Sequence, residues 1–101
     1  MDKNIVAEAI LRQLGGNKFI AMTGATNLVA LQYGLQFKLP RGAKDGINKV
    51  MITLNGRDLY DIGFMRQGAD LLIHQKHCME DIYAEDLRRI FTEKTGLEVS
   101  L

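Results

Sequence analysis

Between Leu35 and Phe64 the apolar side chains keep a period of two. Leu35, Phe37 and Leu39 alternate with Gln36 and Lys38. Val50, Ile52 and Leu54 alternate with Lys49, Met51 and Thr53, and Tyr60, Ile62 and Phe64 alternate with Asp61 and Gly63. Such alternation places every apolar residue on one side of an extended chain, because successive strand side chains point to opposite faces. The runs are separated by "PRGAKDG" and by a loop containing Asn55-Gly56, both turn-forming by composition. Asn-Gly is also the strongest local hairpin signal, since both residues tolerate positive φ. Connections this short hold no crossover helix, so the strands must pair antiparallel.

Three further segments read as strands: "KFIAMT" at 18–23, "LVALQY" at 28–33 and "ADLLIHQ" at 69–75. Helical spacing appears at the two ends. Ile5, Val6, Ala9, Ile10 and Leu14 recur every three to four residues, and a second amphipathic run covers 80–95. There Tyr83, Leu87, Ile90, Phe91 and Lys94 share a face and Gly96 provides the stop. The expected fold is α+β: an antiparallel meander sheet of five or six short strands, with an N-terminal and a C-terminal helix packed on one face. With 101 residues, the chain matches a single compact domain over 1–101.

The glycine-bearing stretch "LGGNKFIAMTGATN", residues 14–27, invites comparison with a phosphate loop. A phosphate loop runs from a strand through glycines into the N-terminus of a helix, whose free N–H groups face the anion. Here a helix ends at Leu14 and the glycines lead into an expected strand, and neither GxxxxGK[ST] nor GxGxxG occurs. The stretch reads as a turn, and no cofactor is expected. Thirteen basic against twelve acidic residues leave a net charge of +1, which gives no long-range field to steer a polyanion. The single cysteine, Cys78, excludes an intramolecular disulfide. There is no signal-peptide pattern and no apolar run near the roughly 20 residues that span a bilayer, so a cytoplasmic protein without membrane contact is expected.

Three groups of residues are candidates for function. Lys38 and Lys49 project from the polar sheet face with Gln36, Thr53 and Lys18, and Arg41 and Lys44 lie in the adjoining turn. A basic face of this kind holds a phosphate backbone weakly, but Phe37, Tyr60 and Phe64, which would stack bases, fall on the core side. "HQKHCMED" concentrates His74, His77 and Cys78, residue types that suit zinc or a thiol–imidazole pair, at a spacing that matches no zinc signature. The carboxylates Asp58 and Asp61, and Asp81, Glu85 and Asp86, read as surface charge. The tail "LEVSL" sets Leu97, Val99 and Leu101 at period two, suited to a sheet edge of this chain or a neighbour, or to the rim of the core.

"LGGNKFIAMTGA", "LQFKLP", "KDGIN" with "ITLNG" and "DLYDI", and "IYAEDLRRIFTEKTGL" together span most of Leu14–Leu97. In these segments the chain resembles a group of small bacteriophage and plasmid proteins to which no activity is assigned. The first helix and "RQGADLLIHQKHCM" resemble the group less. The resemblance implies a mobile-element product in a bacterial host cytoplasm and supplies no catalytic residues. The expected function is therefore non-enzymatic binding of a protein partner, with inhibition of a host defence component among the roles open to it. Weak nucleic-acid binding through Lys38, Lys49, Arg41 and Lys44 is the alternative, and a metal or Cys/His protein built on His74, His77 and Cys78 ranks below it. Exposed sheet edges leave a homo-oligomer open.

Overall fold

The apolar rows of the central strands meet as their alternation requires. A computed structural model describes residues 3–40 and 43–99. Its five strands are β1 (Thr26–Leu31), β2 (Gly34–Lys38), β3 (Lys49–Leu54), β4 (Tyr60–Gln67) and β5 (Ile73–Ile82), in one antiparallel sheet of order β1-β2-β3-β4-β5. Leu35 pairs with Ile52, Phe37 with Val50, Val50 with Phe64 and Ile52 with Ile62. All six side chains are buried.

Helix α1 (Lys3–Leu14) lies over β1 and β2, and α3 (Leu87–Thr95) packs beside it on the same face. Val6, Ile10 and Leu14 of α1 join Leu87, Ile90 and Phe91 of α3 in the core. Ile5 and Tyr83, expected on buried helix faces, are each 59% exposed. No helix of the described residues is long and apolar enough to cross a membrane.

"KFIAMT" is not a strand. It lies in a second helix, α2 (Asn17–Thr23), which starts directly after Gly16 and carries Lys18 into the helical layer. Phe19 explains the difference: it is fully buried, with its ring 5.4 Å from Phe37 and 5.1 Å from Phe91. The order helix–glycines–strand therefore does not hold as evidence against a phosphate loop. The missing motifs still do, and α2, with seven residues, has only about two turns of aligned peptides.

The C-terminal helix is shorter than its periodicity suggests. Glu80, Asp81 and Ile82 belong to β5, a 3-10 turn covers Ala84–Asp86, and α3 begins at Leu87. Ile82 is held in the strand by burial in the core opposite Tyr60. "ADLLIHQ" is likewise displaced: residues 68–72 form the β4–β5 loop, closed by bonds from Gly68 N–H to Leu72 C=O and from Leu71 N–H to Gly68 C=O, and β5 starts at Ile73. The Asn55-Gly56 hairpin forms, but through the loop 55–59, with the positive φ at Asp58. In the tail, Val99 is buried in the core and Leu97 packs against it; Leu101 lies outside the described residues.

Candidate interaction surfaces

The helices cover one sheet face and leave the other open, and the sequence-predicted residues divide between the two. Lys38 and Lys49 are direct cross-strand partners, Lys38 exposed and Lys49 half-buried. Like charges placed opposite each other repel, so the pair is a small fixed centre of positive potential. Lys44 does not join it. Its Nζ donates to the Glu93 carbonyl at 3.2 Å, and its stem lies across Gly96, where an added Cβ would stand 3.1 Å from Lys44 Cγ. There it satisfies a terminal carbonyl of α3 and complements the negative end of that helix. Arg41 lies outside the described residues. Among the described residues, the predicted basic face thus comprises Lys38 and Lys49.

His74, His77 and Cys78 share β5 but not a site. An irregularity in the β4–β5 ladder leaves Lys76 unpaired, with Phe64 opposite His77 and Gly63 opposite Cys78. His77 therefore sits beside the Phe64 ring, at 6.5 Å, and its Nε2 is 3.0 Å from Asp45 Oδ2. Cys78 points to the open face, where it lines a shallow, mainly apolar depression of ≈ 310 Å³ with Met51, Gly63, Met65 and Gln75. His74 is exposed beside Arg66. A strand turns adjacent side chains to opposite faces, so the imidazole–carboxylate pair and the thiol are separated by the sheet. Among the described residues no group of three or more His, Cys, Asp or Glu is placed to hold a metal ion.

The carboxylates Asp61 and Asp81 meet at Asn55. Its Nδ2 donates to Asp61 Oδ1 at 3.0 Å and to Asp81 Oδ1 at 2.8 Å, while its Oδ1 accepts from the N–H groups of Arg57 and Leu59. Arg57 Nη1 completes the set with Asp81 Oδ2 at 2.6 Å. Asn55 is saturated, and the group ties the β3–β4 loop to β5. Its work is structural.

The β4–β5 loop carries a surface that sequence reasoning missed. Leu71, Leu72 and Ile73 are 75%, 59% and 49% exposed, and Leu71 has φ +67. Leu72 is fixed by an N–H bond to Asp70 Oδ1 at 3.1 Å. Period-two alternation signals an apolar face but not its burial; the loop lies past the sheet end, and its apolar side chains stay exposed among the described residues. A consecutive Leu-Leu-Ile beside "QGAD" was the available signal.

Five antiparallel strands in an open sheet with helices on one side define an α+β meander domain. No protein-family model, curated protein or solved structure matches the chain.

Proposed function

We propose that this chain is a small non-enzymatic binding protein that recognises a protein partner through the β4–β5 hairpin end. The observation that carries this reading is the exposed run Leu71–Leu72–Ile73. Small soluble domains rarely leave contiguous apolar surface in water without a use, and a leucine held at positive φ is a local strain of the kind found at ligand clamps and recognition sites. The separation of Cys78 from the His77–Asp45 pair removes the obvious nucleophile–base arrangement and favours binding over catalysis. The partner class follows from the resemblance alone: a protein of the bacterial host, defence components among the candidates, met in the host cytoplasm.

Capture from bacterial lysate with the wild-type chain, compared with a Leu71→Asp/Leu72→Asp variant, tests the reading. A protein retained by the wild type and lost by the variant supports it. Equal retention by both, or no specific protein in either, overturns it. The second reading, weak nucleic-acid binding, is favoured only by the Lys38–Lys49 pair. It requires a gel shift that falls with salt and disappears in Lys38→Glu/Lys49→Glu.

A further inference from the structure

β5 is the longest strand of the sheet, at ten residues, and it lies at the edge, so among the described residues one side of its backbone has no strand to pair with. Its residues from Ile73 to Lys76 are all exposed, as are Cys78 and Glu80. The other edge, β1, has six residues. An unpaired edge of this length is a template for another strand.

Four features in and just after β5 are arranged about Cys78. First, charge is ordered along the strand: Lys76 precedes Cys78, and Glu80 and Asp81 follow it. Second, the two irregularities in its pairing with β4 fall at Lys76 and at Glu80–Asp81, so each begins two residues from Cys78. Third, the exposed apolar residues Ile73 and Tyr83 stand five residues to either side, 49% and 59% exposed. Fourth, the charges nearest the centre, Lys76 and Glu80, are both exposed, whereas Asp81 is already paired with Arg57.

We propose that two copies of this chain associate by pairing β5 antiparallel with β5 about a two-fold axis at Cys78. In that register Lys76 of each copy faces Glu80 of the other, and the irregularity at Lys76 meets the one at Glu80–Asp81. The two Cys78 residues adjoin across the axis, bringing the Met51–Met65 depressions side by side on one continuous ten-stranded sheet. Parallel pairing at the same residues would stack lysine on lysine and glutamate on glutamate. Lysine and bulges also serve elsewhere to keep edges apart; here their symmetric placement makes them complementary in a second copy. The inference does not depend on the hairpin end or its partner.

Sedimentation velocity from low micromolar to millimolar concentration, with a short bismaleimide to link neighbouring thiols, tests the register. One strand pair buries less than the roughly 1,200–2,000 Å² of a standard interface, so the dimer is expected to be concentration-dependent. Lys76→Glu and Glu80→Lys each create two like-charge pairs and should weaken association by about tenfold or more. The double variant Lys76→Glu/Glu80→Lys exchanges the signs and should restore it. Cys78–Cys78 linkage should appear in the wild type and the double variant and fall in each single. A wild type that stays monomeric to millimolar concentration overturns the proposal. So does a dimer indifferent to the single reversals, or a double variant no stronger than the singles.

Discussion

Tyr60 opens β4 opposite Leu54 and is only 8% exposed. Burial disfavours the phenolate and pushes its pKa above the ordinary value of about 10. The unfolded chain therefore releases this proton before the folded one as pH rises. Stability from this group is complete below about pH 10 and is lost as pH climbs through the folded pKa. Urea unfolding of wild type and Tyr60→Phe should give parallel midpoints near neutrality and a steeper alkaline loss in the wild type. Gly34 makes a different demand on a single position: a Cβ there would stand 2.3 Å from the Ile52 carbonyl oxygen, so β2 can begin beside β3 only without a side chain. By contrast the Arg57–Asp81 pair, with the arginine side chain 77% exposed, contributes little by itself. It matters through the Asn55 group to which it belongs.

At the scale of elements, α2 and α3 end alike. Thr23 Oγ1 donates to Phe19 C=O at 2.8 Å and accepts from Ala25 N–H; Thr95 Oγ1 donates to Phe91 C=O at 2.7 Å and accepts from Leu97 N–H. Each threonine is buried and followed by a left-handed glycine, Gly24 or Gly96, whose N–H returns to the last turn. The sequence carries this as a repeated Phe-x-x-x-Thr-Gly, in "FIAMTG" and "FTEKTG". The second copy reads as a helix because polar residues fill its gaps. The first reads as a strand because Ile20, Ala21 and Met22 do not. Thr95→Val keeps the shape but strands the Leu97 N–H, and should cost about 1–3 kcal/mol in urea unfolding with an unchanged m-value. Thr23→Val should cost a similar amount. The end of β5 was illegible for a related reason: "MEDI" fits a helix start as well as a strand, and only burial of Ile82 against the core decides between them.

The whole molecule is held together by aromatic rings that join its layers. Phe19 from α2, Phe37 from β2 and Phe91 from α3 meet with centroids 5.1–6.2 Å apart, and Phe64 from β4 reaches Phe91 at 6.5 Å. The two edge-to-face pairs, Phe19 with Phe37 and with Phe91, each add about 0.5–1.5 kcal/mol beyond area burial. Phe91→Ala opens a cavity where helices and sheet converge and should lose about 3–5 kcal/mol. That is a large share of the about 5–15 kcal/mol typical of a domain, so its thermal midpoint should fall well below that of the threonine variants. One-sided helical cover also leaves the Met51–Met65 face and the β5 edge open, which is why both proposed interactions lie away from the helices.

The amino-acid sequence by itself determined the central meander. Period-two rows and short turns admit one pairing of β2, β3 and β4, because a slip of one residue would turn every apolar side chain into water. It also determined the N-terminal helix and the end of the C-terminal one, though not the start of the latter, which lies at Leu87 and not at residue 80. Which candidates act together was decided by tertiary structure. Strand geometry parts Cys78 from His77, the loop after β2 sends Lys44 to the end of α3, and the sheet end leaves Leu71–Ile73 uncovered. Local spacing constrains which way a side chain points along its own element. What stands opposite it depends on chain folded from elsewhere, and α2 became a helix because Phe19 meets Phe37 and Phe91 there.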